Sequence, residues 1–217
     1  LTRWSDIERH PSLRQAHPLL VEAIGHVAHY QIRNRGTVGG SLAHADPAAE
    51  FPGICVACDA IIEVVGKKGR RTVAAAKFFL DSLTTELRQD ELIVSVRLPP
   101  WKPGRRWAFE EFARRRGDFA LAGVALLYDL EQGRTVAPKI AAIGVASTPI
   151  RLVEAEQALA GRAVDFALIY KVVAAATAAI DPLDVIHAPA DYRRALLGVL
   201  LERALIRAAG VTEAKSA

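Results

Sequence analysis

Gln31-Ile32-Arg33-Asn34-Arg35-Gly36-Thr37-Val38-Gly39-Gly40-Ser41-Leu42-Ala43-His44-Ala45-Asp46-Pro47 is the densest local signal in a chain of 217 residues. It is rich in Gly, Asn, Ser and Asp and has no helical stripe, so it reads as loop and irregular strand. Gly39 and Gly40 let the backbone approach a ligand closely and take conformations closed to other residues, so their N–H groups can converge on an anion. Thr37 and Ser41 add hydroxyl donors beside them. On the residues alone two readings stand: a phosphate cradle, or a tight bend or bulge with no ligand. The stretch is neither the G-x-G-x-x-G dinucleotide fingerprint nor a P-loop, because no lysine follows the last glycine.

Working outward, Ser5-Asp6-Ile7-Glu8 has the form of a capping box that starts a short helix ending before Pro11. Pro18 suits the first turn of a second helix, in which Leu19, Leu20, Ala23, Ile24, Val27 and Ala28 make one buried stripe. Ala48 to Cys58 reads as a helix. From Ala60 the period changes to two, and Ile61 to Val65, the turn Lys67-Lys68-Gly69 and a strand through Thr72-Val73 predict a hairpin. Glu91 to Leu98 alternates with Leu92, Val94, Val96 and Leu98 on one face, until Pro99-Pro100 stops it. Pro99 to Gly104 separates two internally complete patterns and divides the chain into 1–100 and 101–217. Strands follow near Trp107 to Ala113, Ala120 to Leu130 and Lys139 to Val145, with a turn at Glu131-Gln132-Gly133. Helices come next, at Arg151 to Leu159, Asp165 to Ala179 and Tyr192 to Ala208. Strands grouped before helices predict an α+β layer, a small antiparallel sheet with helices on one face.

The composition, 51% hydrophobic and 24% charged, is that of a globular chain able to bury a core. No apolar run approaches the ~18 residues that span a bilayer and no signal peptide opens the chain, which predicts a soluble, cytoplasmic protein. The net charge of +4 raises a nucleic-acid reading. Its densest runs, Arg70-Arg71, Arg105-Arg106 and Arg114-Arg115-Arg116, lack interleaved aromatics, so a solvated or protein-facing surface is favoured. Cys55-Val56-Ala57-Cys58 has no second cysteine pair for a structural zinc and reads as two buried small hydrophobes on a helix. His26 and His29, at helical spacing, have no third ligand to complete a metal site and read as a solvated or loop-facing pair. Arg114 to Asp118 reads as an ion-pair cluster at the junction, or as a docking surface. In the last helix Leu196, Leu197, Leu200, Ala204 and Leu205 form the core side, with Arg193, Arg194, Glu202 and Arg203 elsewhere. No Ser-His-Asp set or catalytic carboxylate pair emerges, so no residue is assigned a catalytic role and no metal ligand is assigned.

The run from Gln31 to Glu50 resembles the second flavin motif of the FAD-binding medium subunits of molybdenum hydroxylases, of the xanthine and carbon monoxide dehydrogenase type. There the pattern QIRNRGT-(I/V)-GG-(S/N/D)-LAHADP-AAE is nearly a signature. The similarity continues through Leu1-Thr2-Arg3, Arg114 to Ala120, Gly144-Val145-Ala146, Thr148 to Arg151 and Asp191 to Arg194. The resemblance implies the C-terminal part of a PCMH-type FAD-binding domain (1–100), followed by a domain like the C-terminal one of carbon monoxide dehydrogenase flavoproteins (101–217). It implies that Thr37, Val38, Gly39, Gly40 and Ser41 contact the FAD pyrophosphate. By the same resemblance Asp46 lies close enough to accept from ribose or ribityl hydroxyls. His44 either touches a phosphate or braces the loop, and Ile93 packs against the flavin or adenine or is an ordinary core residue.

It further implies electron transfer from two [2Fe-2S] clusters in a small subunit, through FAD here, to an external acceptor, with the molybdenum cofactor in a large subunit. A dimer of such heterotrimers is one assembly it allows. Family members carry a preceding segment with an AGGxSLLP motif. Leu1-Thr2-Arg3 falls inside a later family segment and the chain has no methionine, so the expectation is that it begins partway through the flavoprotein. An alternative follows, a scaffold of the same complex that no longer retains FAD.

Overall fold

The computed structural model describes residues 1–211. Six helices come first: α1 (Trp4–Arg9), α2 (Leu13–Ala16), α3 (Pro18–Ile24), α4 (Tyr30–Arg33), α5 (Val38–His44) and α6 (Glu50–Ala57). Next are β1 (Ile61–Gly66), β2 (Gly69–Ala74), α7 (Ala75–Phe78), β3 (Phe79–Asp81), β4 (Thr84–Thr85) and β5 (Leu92–Arg97). The rest comprises β6 (Arg106–Phe112), β7 (Ala122–Glu131), β8 (Arg134–Ile143), β9 (Ile150–Arg151), α8 (Val153–Leu159), α9 (Phe166–Ala178) and α10 (Ala190–Ala209). The sheets run β2-β1-β5, β3-β4 and β6-β7-β8-β9, all antiparallel.

The first helix is capped two residues earlier than the sequence suggests. Arg3 holds the cap position, its N–H donating to Asp6 Oδ2 at 2.8 Å, and Ser5 lies buried in the first turn. The cause is tertiary: Arg3 bridges Thr37 as a short antiparallel pair, and Trp4 N–H donates to Gly36 O at 3.2 Å. Pro18 opens α3 as expected, and Leu19, Leu20, Ala23 and Ile24 are buried. The helix stops at Ile24, so Val27 and Ala28 do not continue the stripe. The Arg33 guanidinium donates to the carbonyls of both, each at 3.0 Å, and Ala28 has φ 42°.

The stretch expected to be loop and irregular strand is instead largely helical, in α4 and α5. Thr37 caps α5, its Oγ1 accepting from Gly40 N–H at 3.1 Å, and Leu42 is fully buried. One buried residue per two turns leaves no stripe to read, and the cap offsets part of the ~1 kcal/mol that each helical glycine costs. Helix α6 is buried all round, which is why it has no polar face.

The hairpin of β1 and β2 forms as expected. In β5 the alternation is broken: Glu63 pairs Ser95 but Val64 pairs Ile93, so Val94 is an extra residue at a bulge. Ile93 and Val96 therefore share the core face opposite Val64 and Ile62. Leu92 and Val94, expected inside, are 71% and 44% exposed.

The larger sheet is covered on both faces, not one. Ala108, Val124, Leu126, Ile140 and Ala142 pack under α8, α9 and α10. Phe109, Ala125, Leu127, Ala141 and Ile143 belong to a core shared with α3 and α6. Gly53 makes that second layer close, since a Cβ there would lie 2.5 Å from Ile143 Cγ2. In α10, Leu197, Leu200, Ala204 and Leu205 are buried and Leu196 is partly so. Arg193, expected on the outer side, is buried and donates to Leu121 O at 3.2 Å and Leu183 O at 2.6 Å.

Candidate functional site

Five of the expected site residues lie at the start of α5, Thr37 as its cap and Val38 to Ser41 as its first turn. Its early N–H groups are mostly committed: Val38 donates to Thr2 O at 3.0 Å, Gly40 to Thr37 Oγ1 and Ser41 to Thr37 O at 3.0 Å. The Gly39 N–H has no partner among the described residues. The Thr37 hydroxyl accepts from Gly40 and keeps its proton to donate, and the Ser41 hydroxyl makes no hydrogen bond among the described residues. Three donors are thus left on one short segment, two hydroxyls and one amide, a set suited to phosphate oxygens. Gly40 cannot carry a side chain cheaply, because a Cβ would meet Thr37 Oγ1 at 2.8 Å. Arg35, just before the turn, is exposed and makes no ion pair among the described residues.

Ile93 joins this site across space. A Cβ on Gly39 would lie 3.8 Å from Ile93 Cβ, and both residues line a cavity of about 350 Å³ with Val38, Leu20, Phe51 and Val96. The bulge at Val94 turns Ile93 toward it. His44 and Asp46 lie at the other end of α5, about 10 Å along the axis at 1.5 Å per residue. His44 is exposed in the last turn. Asp46 closes a turn after the left-handed Ala45, its Oδ1 accepting from Ala48 N–H at 2.8 Å. Sequence reasoning missed Arg33, whose guanidinium ties the motif to Glu8 and to the loop after α3.

A second, polar cavity of about 490 Å³ is lined by Glu22, His26, Glu111, Arg115, Arg116 and Gly117. His26 and His29 are not on a helix. His26 stands edge-on to Phe109 at 5.1 Å and burial lowers its pKa, while exposed His29 packs beneath Gly117. The ion-pair cluster expected at Arg114 to Asp118 is not formed among the described residues; Arg114 meets His187 Nδ1 at 2.8 Å instead. Glu50 and Glu111 were also missed. Burial pushes Glu50 up to about 7, helped by Asp46, and Glu111 up to about 8, helped by Glu50. Cys55 and Cys58 are free and buried, and burial pushes Cys58 up to about 12. Among the described residues no His, Cys, Asp and Glu group could hold a metal, and no helix is long and apolar enough to cross a membrane.

A capped glycine turn with unspent donors beside an apolar cavity, in an α+β frame, is an arrangement suited to a phosphate-bearing ligand. Residues 1–101 match the FAD binding domain in molybdopterin dehydrogenase, and residues 107–208 match the CO dehydrogenase flavoprotein C-terminal domain. The chain is 38% identical over 209 residues to the 6-hydroxypseudooxynicotine dehydrogenase complex subunit alpha of Paenarthrobacter nicotinovorans, covering 96% of this chain and 71% of the relative. It is 36% identical over 206 residues to the carbon monoxide dehydrogenase medium chain of Hydrogenophaga pseudoflava, covering 94% and 71%. The solved carbon monoxide dehydrogenase of that organism, in a form lacking the Mo-pyranopterin moiety, superposes with a TM-score of 0.92 at 37% identity, over 95% of this chain and 72% of the other. This chain belongs to the FAD-binding medium subunits of molybdenum hydroxylases, a family of oxidoreductase subunits.

Proposed function

We propose that the chain is the electron-transferring flavin subunit of such a complex, holding the FAD pyrophosphate at Thr37, Val38, Gly39, Gly40 and Ser41. The observation that carries the reading is the unpartnered Gly39 N–H flanked by the Thr37 and Ser41 hydroxyls. In this reading Gly39 N–H and the two hydroxyls donate to phosphate oxygens, Val38 supplies the apolar wall, and Gly40 leaves room for Thr37. Ile93 closes the cavity side, where it bounds an aromatic ring of the cofactor. Asp46 offers its second carboxylate oxygen to a sugar or ribityl hydroxyl, and His44 braces the far end of the helix. FAD, when bound, supplies the redox chemistry that no side chain here provides.

Partner subunits carrying [2Fe-2S] clusters and a molybdenum cofactor belong to this reading, as do a dimer of heterotrimers, a soluble cytoplasmic location and a division into 1–100 and 101–217. The relatives' places in dehydrogenase complexes support it. Purified chain is tested for stoichiometric yellow flavin, then titrated with FAD by fluorescence. Wild type is expected to bind and Gly40→Val to lose binding; binding unchanged in Gly40→Val overturns the cradle. A colourless chain that also fails to take up added FAD favours a scaffold of the same complex.

A further inference from the structure

Two carboxyl groups lie between the helices of the first half and the larger sheet without an ion-pair partner among the described residues. Glu50 opens α6, is 8% exposed, and its carboxyl makes no ion pair and no hydrogen bond to any other residue among the described residues, its own backbone N–H apart. Glu111 is on β6, two residues from Phe109, so its side chain shares the face that packs toward α3 and α6. Its Oε2 is buried with no hydrogen-bond partner. The sheet register sets Glu111 opposite Gly123 and Gly123 opposite Ile143. Helix α6 lies on that row: Gly53 abuts Ile143, and Gly144 N–H donates to Pro47 O at 2.9 Å.

The other charged groups nearby do not neutralise the two carboxyls. Asp46, in the loop before α6, adds negative charge and raises the Glu50 pKa. Glu22 on α3 is paired with Arg207 at 2.7 Å, and Glu110 points to the same arginine at 3.3 Å. Arg115 and Arg116 line the outer part of the polar cavity, are exposed, and make no ion pair among the described residues. Burial lowers the His26 pKa and so disfavours its cationic form. Two carboxylates buried together without a cation cannot both ionise at modest cost, and one proton between them relieves the repulsion.

We propose that Glu50 and Glu111 hold one proton between them and present a neutral carboxyl on the wall of the polar cavity, a proton-binding site that donates to a carbonyl-type or imine-type acceptor. Burial pushes both groups upward, with the Asp46 charge adding to the rise of Glu50 and the Glu50 charge adding to that of Glu111, which puts the release of this proton near neutrality. The pair titrates as a unit rather than as two residues. Its use rests on the FAD reading: a cofactor that takes up protons with its electrons then has a proton store in the same chain, refilled from solvent through the open cavity.

The test is carboxyl-carbon NMR of the full chain labelled at glutamate, without flavin, followed as a function of pH in wild type, Glu50→Gln and Glu111→Gln. Wild type is expected to show two glutamate resonances that each move in two steps, the later one near neutrality. Each Gln variant is expected to leave the remaining carboxyl, still raised by burial, titrating in a single step that lies below its later wild-type step. Independent single-step curves in the ordinary range for both wild-type carboxyls overturn the proposal, as does a partner unmoved by either substitution. Should a variant fail to fold, the wild-type curves alone decide. FAD retention is measured on a separate sample, so its absence sinks the flavin reading and leaves this result standing.

Discussion

Thr37 accepts from Gly40 N–H to cap α5 and keeps its own hydroxyl proton to donate, which the FAD proposal gives to a phosphate oxygen. Thr37→Val removes both. The expected result is a 10- to 100-fold weaker FAD affinity, the equivalent of roughly 1–3 kcal/mol for an unsatisfied charged hydrogen bond, with about 1 kcal/mol lost from the helix cap. Thr37→Ser should restore both, as read by fluorescence titration and thermal melting. The acid pair gives a second expectation. Glu111 has its folded pKa raised to about 8, so the folded state binds the proton more tightly than the unfolded chain. Its stabilising contribution is complete at acid pH and is lost as pH rises through that value. Urea unfolding at a series of pH values should show wild type weakening toward pH 8 and Glu111→Gln much flatter. The donors at Thr37 to Ser41 were legible because Gly, Thr and Ser in one run advertise them. The nearness of Glu50 to Glu111 was not, because only the stacking of α6 on β7 and β8, beside β6, brings them together.

Among the elements, α6 is buried along its whole length. Its Gly53 sits against Ile143, and Gly53→Val should cost about 1–3 kcal/mol by overpacking, or more if α6 is displaced, measured as a lower urea midpoint at unchanged slope. Arg193 on α10 fastens two loops at once through the carbonyls of Leu121 and Leu183. Arg193→Met should cost roughly 2–4 kcal/mol by leaving those carbonyls unmet, and hydrogen exchange should rise in both loops. Pattern reading succeeded where a single periodicity held, as in the β1–β2 hairpin and in α9, whose Asp165 cap accepts from Leu168 N–H at 2.7 Å. It failed where a contact interrupted the pattern. The bulge at Val94 is one case, and the arginine that ends α3's stripe is another. Helix α5 is a third, being fixed by a cap and one leucine rather than by a stripe.

At the scale of the molecule, the linker from Pro99 to Gly104 separates two sequence patterns, and one of the two cores spans it. The face of the larger sheet that carries Phe109, Leu127 and Ile143 is buried by helices from before the linker. Lys139 and Arg151 of the sheet both reach Asp59, the latter at 2.7 Å. Residues 105–217 expressed alone should therefore expose that apolar face, bind a hydrophobic dye and aggregate, whereas the full chain should not. A monodisperse, dye-silent fragment would overturn this. The sequence could show where the pattern changes; it could not show that the second face of the sheet was already spoken for, since alternation in a strand does not say which layer covers each side.

The seat of Gly53 on Ile143, with Gly123 beneath the same isoleucine, also constrains how this chain can be recombined with its relatives. Hybrids cut at the linker would graft a helix from one parent onto a strand from another, and a bulkier residue at any of the three positions would have no room. Hybrids that inherit α6, β7 and β8 from one parent should outlive, in thermal challenge, those that merely respect the family boundary.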